Sequence, residues 1–138
     1  MQNRSEQYEA RFPLVEVLRS PSVLLDGMAG SRLPIAVSHG EGRAEFATPE
    51  AAAASAASGL VGFRYVNHDK SVATGYPANP SGTPFGIAAL CNADGRVTIT
   101  MPHPERSFRY LQNSWRPRGV EGYSGWMRLF RNARRFIG

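Results

Sequence analysis

Residues 86–106, GIAALCNADGRVTITMPHPER, decide how the chain folds around its most chemical residues. GIAALC and RVTITM are runs of strand-forming types, and the NADG between them is turn material, so the stretch predicts an antiparallel hairpin. Its second strand ends at PHPE. Pro102 and Pro104 flank His103 and keep the backbone from continuing as ladder or helix, which mounts the histidine rigidly just past the strand end. Histidine is the side chain whose intrinsic charge change falls near neutrality, and a carboxylate on its far nitrogen sets the tautomer and stabilises the imidazolium. The spacing therefore points to His103 as a general base and Glu105 as its orienting carboxylate.

A base of this kind serves a nucleophile. The single cysteine, Cys91, lies one hairpin upstream. A cysteine that attacks carbonyl carbon usually sits on a tight strand-to-helix turn with small neighbours, where the helix N-terminus lowers its pKa and backbone N–H groups form an oxyanion hole. Around Cys91 the chain reads AALCNADGRV, with a hairpin turn following instead of a helix. Cys91 is expected to be a small buried strand residue and not catalytic.

Upstream of the hairpin, FPLVEVL (12–18) reads as a strand and SPSVLLDGMAG (20–30) as a short helix capped by Ser20 or Ser22. LPIAV (33–37) reads as an apolar strand running straight into the polar turn SHGEGR, a placement that suits a ligand site. RAEFA (43–47) reads as a further strand. TPEAAAASAASG predicts a helix, with Thr48 as N-cap, Pro49 at the first position and Gly59 as the stop. LVGFRYV (60–66) reads as a strand, and residues 67–86 form a long structured loop rich in proline and glycine. Near the C-terminus, Trp126, Leu129, Phe130, Ala133, Phe136 and Ile137 recur at helical spacing with arginines opposite, predicting an amphipathic helix docked on the sheet.

The 138 residues suffice for about one domain with a modest core. Its net charge of +5 is almost all arginine, Lys70 being the only lysine. That surplus would suit nucleic acid or an acidic partner, but apart from Arg128, Arg131, Arg134 and Arg135 the arginines are scattered, which favours a solvated surface. One cysteine makes no internal disulfide, MQNRSEQYEARF is polar, and no apolar run approaches the ~20 residues of a membrane span. These features point to a reduced, cytoplasmic setting and away from membrane insertion.

The strings SHGEGR, YPANPSGTPFGIAAL, MPHPERSFRYLQNSW and GWMRLFRNARRFIG, in this order, resemble the glutaminase domain of the large, single-chain phosphoribosylformylglycinamidine synthases, a branch of the class I glutamine amidotransferases. The likeness runs from NRSEQYEARFPLVEV to the end. It implies an α/β, flavodoxin-like domain whose mixed sheet has flanking helices. It also implies glutamine hydrolysis, with ammonia passed to a synthetase region that uses ATP and Mg to aminate formylglycinamide ribonucleotide in purine biosynthesis. By motif, His103 and Glu105 match the base and carboxylate of the family's triad, and Ser38, His39, Gly40 and Glu41 match the turn that holds glutamine.

The same resemblance places the nucleophile on an elbow upstream of these residues. Residues 1–138 are then a partial glutamine amidotransferase domain, with the nucleophile elbow and the synthetase region outside them. Such a piece is expected to be inactive by itself, to need no cofactor or metal of its own, and to self-associate through a bared sheet edge. The rest of the synthase chain and glutamine are its expected partners. Competing readings are a noncatalytic interaction module, a basic nucleic-acid-binding domain without a recognisable recognition helix or zinc spacing, and a metal hydrolase using His39, His68 and His103, which lack a close ligand pair such as H-x-x-x-H.

Overall fold

A computed structural model describes residues 1–138. Seven strands are formed: β1 (Glu9–Arg11), β2 (Leu14–Val17), β3 (Arg32–Pro34), β4 (Val37–His39), β5 (Val61–Tyr65), β6 (Ile87–Cys91) and β7 (Thr98–Thr100). Two helices accompany them, α1 (Pro49–Ala57) and α2 (Met127–Phe136). Five strands make one sheet in the order β3-β2-β5-β6-β7, and β1 and β4 make a separate ribbon. The expected combination of helices and sheet is borne out. Within residues 1–138 every strand pairing is antiparallel, so the parallel pairs of a mixed sheet are not formed among these residues.

Alternation explains the central strands. Val15 and Val17 of β2 point into the core while Glu16 points out. There Glu16 stands opposite Arg32 of β3 and Arg64 of β5, and its two oxygens accept from their guanidinium groups at 2.7 and 3.0 Å. Phe63 and Tyr65 carry the same buried layer across β5. Trp126, at the foot of α2, completes it: the indole is buried, meets Phe63 edge-on at 5.4 Å between centroids, and donates to Pro34 O at 2.7 Å.

The hairpin of β6 and β7 forms as its sequence predicts. Gly95 in its turn has φ +75° and lies so close to Pro21 O that a Cβ would sit 1.9 Å from it. Helix α1 starts as read, with Thr48 Oγ1 accepting from Ala51 N at 3.2 Å. β7 is an outer strand of the sheet, as β3 is at the other end; Ile99 on it and Val97 just before it are exposed. No helix is long and apolar enough to cross a membrane.

Four local expectations fail for a shared reason: distant polar groups, backbone or hydroxyl, capture the segment. Residues 20–30 form only a short 3-10 turn, Val23–Leu25, and Ser22 does not cap it; the hydroxyl instead shares a 2.7 Å hydrogen bond with Thr98 Oγ1. Residues 43–47 are not a strand, since Arg43 N donates to Met1 O and Ala44 N to Thr83 Oγ1. The run 33–37 breaks between β3 and β4, where Ala36 turns its backbone toward residues 103–107. Helix α2 buries Asn132, which donates to Leu24 O and Asp26 O at 2.9 and 2.8 Å, while Phe136 and Ile137 stay exposed.

Candidate active site

The chain leaves β7 at Thr100 and passes through buried Pro102 to His103, whose N–H donates to Ala36 O at 2.8 Å. Pro104 opens a 3-10 turn, Pro104–Arg106, with His103 at its cap position. That turn brings Glu105 back over the imidazole, and Nδ1 lies 2.6 Å from Glu105 Oε1. A carboxylate at this distance fixes Nδ1 as the protonated nitrogen and leaves Nε2 for exchange with a reacting group. Both side chains are partly open to solvent, at 28% and 53%. Arg106 approaches the same carboxylate at 3.8 Å, an exposed contact of small energetic weight.

Three residues not singled out from the sequence hold this pair. Ser107 is fully buried; its Oγ accepts from Ala36 N at 2.9 Å and donates to His103 O at 3.3 Å. Ser124 Oγ in turn donates to Ser107 O at 2.6 Å. Gln112 Nε2 donates to Glu105 O at 3.1 Å, while its Oε1 accepts from Arg109 N at 2.9 Å. Nothing in the local sequence marks these residues, because each bond spans a turn or an element that the sequence does not place.

The SHGE turn stands beside them. The bridge between Ala36 and His103 sets the histidine on the side of β4 away from β1. By strand alternation Ser38 shares the face of Ala36, and His39 lies on the opposite face with Glu9, its partner across the ribbon. Ser38 Oγ and Tyr8 OH share a 2.6 Å hydrogen bond. His39 is buried, and neither ring nitrogen has a hydrogen-bond partner. Burial, joined by the nearby charge of His103, holds its pKa below the ordinary histidine value, so the ring is neutral at neutral pH. Gly42 allows this packing: a Cβ there would sit 1.9 Å from His39 Cε1. Glu41 is exposed.

Asn3, 1% exposed, clamps the whole turn. Its Nδ2 donates to His39 O at 2.8 Å, its Oδ1 accepts from Gly42 N at 3.1 Å, and its backbone N donates to Gly40 O at 2.8 Å. An asparagine near the start of the chain gives no sign in the sequence of serving residues 36 or more positions away.

Cys91 is not part of this assembly. It pairs with Thr98 at the turn end of the hairpin, whereas His103 leaves the other end, and its thiol donates to Leu60 O at 3.3 Å. No cysteine-bearing strand-to-helix elbow occurs in residues 1–138. His68 is exposed in the long loop, and no three His, Cys, Asp or Glu side chains converge as a metal site would require.

A family model described as a CobB/CobQ-like glutamine amidotransferase domain matches residues 1–137. The chain belongs to the CobB/CobQ-like glutamine amidotransferase family. The match bears out the resemblance to class I glutamine amidotransferases. Among solved structures, PurLQS from Thermotoga maritima is similar with a TM-score of 0.68 at 21% sequence identity, a likeness of fold. The alignment covers 100% of this chain and 52% of that one, so the amidotransferase chain spans about half the length of that relative.

Proposed function

We propose that residues 1–138 are the distal, base-carrying part of the glutaminase domain of a phosphoribosylformylglycinamidine synthase, the nucleophile elbow and the ATP- and Mg-dependent synthetase lying outside them. The observation that carries this reading is the 2.6 Å contact between His103 Nδ1 and Glu105 Oε1, set beside the SHGE turn by the bridge between Ala36 and His103.

The chemistry follows from that geometry. A cysteine thiolate supplied from outside these residues attacks the glutamine carboxamide carbon. His103, as imidazolium, gives its Nε2 proton to the departing nitrogen, which leaves as ammonia. The neutral ring then takes a proton from water as it attacks the thioester, and glutamate is released. Glu105 holds the ring's orientation and tautomer through both steps. Ser38, His39, Gly40 and Glu41 bound the glutamine, Gly40 permitting close backbone approach and Ser38 offering its hydroxyl. Ammonia passes to the synthetase, which aminates formylglycinamide ribonucleotide. The exposed β7 edge is where the chain meets the rest of its domain or, alone, a second copy.

Because Cys91 lies at the end of the hairpin opposite to His103, with its thiol on Leu60 O, the isolated chain is expected to release no glutamate from glutamine. The test is glutamate release by the 138-residue chain beside its Cys91→Ser and His103→Ala variants, and by the intact synthase carrying His103→Ala. No turnover in the three short chains and a loss of at least about 100-fold in the intact variant support the reading. Turnover in the short chain that vanishes with Cys91→Ser overturns it.

A further inference from the structure

A polar cleft of about 740 Å³ lies between residues 4–11 and the loop 74–82. It adjoins the SHGE turn, since Tyr8 on its wall shares a hydrogen bond with Ser38 and Glu9 stands opposite His39 across the ribbon. Glu9 and Arg11 are on the face of the β1–β4 ribbon opposite to Ala36 and Ser38, and His103 is bridged to Ala36 along the edge away from β1.

The cleft is built around one guanidinium. Arg11 Nε donates to Glu9 Oε2 at 2.6 Å, and the Glu9 side chain is only 7% exposed. Ser5 Oγ holds the other carboxylate oxygen at 3.2 Å. The Arg11 guanidinium also stacks on the Tyr76 ring, 4.3 Å from its centroid. With Nε taken and the plane fixed by stacking, the terminal nitrogens remain without a protein partner. A fork immobilised in this way has already lost the side-chain freedom that binding would otherwise cost. Arg4 lies along Gly82 on the same cleft, and its guanidinium enters no ion pair. Gln7, Thr74 and the Gly75 backbone add uncharged polar groups to the wall. Two arginines against one glutamate leave the lining with one uncompensated positive charge.

We propose that this cleft binds a small oxyanion, a phosphate monoester or a carboxylate, through the fork of Arg11 with Arg4 as the second cation. Planar, bidentate oxygen pairs are what a guanidinium fixed at Nε selects. Glu9 acts as a positioning residue, orienting Arg11 rather than touching the ligand.

The test is calorimetric and NMR titration of the 138-residue chain with inorganic phosphate, adenosine monophosphate and glutarate at physiological salt. Saturable binding is expected for at least one probe, weakened at least about tenfold by Arg11→Gln and by Arg4→Gln. Arg11→Lys restores less than the fork provides. Tighter binding of the two phosphates identifies a phosphate ligand, and tighter binding of glutarate a carboxylate. Arg4 is exposed, so its variant keeps the test valid if Arg11→Gln disturbs the fold. The proposal is overturned by no saturable binding, by binding indifferent to both arginines, or by equal weakening in Arg116→Gln, which would mean diffuse attraction to the chain's positive charge.

Discussion

Replacing Ser107 with alanine tests whether the mount of His103 is tertiary. In the folded chain the hydroxyl accepts from Ala36 N at 2.9 Å and donates to His103 O at 3.3 Å. Alanine removes both bonds, but their costs differ. His103 O keeps a second donor, Arg106 N at 3.1 Å, so losing the longer bond matters little. Ala36 N has no other partner and lies in a half-buried strand break, so it bears the desolvation penalty of an orphaned donor, about 1–3 kcal/mol. Partial access of water sets the expectation at about 1–2 kcal/mol, a fall in Tm of roughly 3–6 °C for a domain of this size. Urea and thermal unfolding give the stability change. NMR of the imidazole gives the local one, since the Nδ1–H signal held by Glu105 should broaden as the bridge loosens. Ser124→Ala is the contrast for the imidazole signal: it strips a donor from Ser107 O and leaves Trp126 N without its Ser124 acceptor, at a cost of about 1–2 kcal/mol, but keeps both bonds of Ser107 Oγ that hold Ala36 and His103. A Ser107→Ala change within about 0.5 kcal/mol of wild type, with an unaltered imidazole signal, would refute the reasoning.

Gly42→Ala should destabilise by about 1–3 kcal/mol through overlap with the His39 ring, and His39→Ala should suppress most of that cost in the double variant; additive effects in unfolding titrations would contradict the clash. The His39 pKa is depressed by burial and by His103, with Glu9 opposing. The unfolded chain therefore takes up a proton first as pH falls, so this contribution is present above the ordinary histidine range and is lost as pH drops through it toward the folded value. Unfolding free energies measured between about pH 8 and 5 should fall less steeply for His39→Asn than for wild type, and identical slopes would count against the buried neutral ring. Trp126→Phe keeps the aromatic layer but orphans nothing except Pro34 O, so a loss of about 1–2 kcal/mol in urea unfolding is expected, and a loss above about 4 would mean that the indole packing, not its N–H, dominates.

The sequence by itself determined what depends on near neighbours. Alternation and NADG fix the hairpin of β6 and β7, Thr48 and Pro49 start α1, and two prolines with a glutamate two residues on are enough to bring His103 and Glu105 together. In each case the partners lie within one turn or one hairpin, and local sterics and hydrogen bonds decide the conformation. Tertiary structure alone decided which polar side chains answer distant backbone groups. Asn3 closes the SHGE turn from 36 residues away, Ser107 ties Ala36 to the base from 71, and Asn132 takes the buried place on α2 from 106 because Leu24 O and Asp26 O need donors. Buried backbone groups must be paired, and the chain offers many candidates for each; only the assembled fold brings one within reach. For the same reason the run 33–37 divides at Ile35, and Ala36 beyond it pairs with His103 and Ser107, which gives His103 its mount.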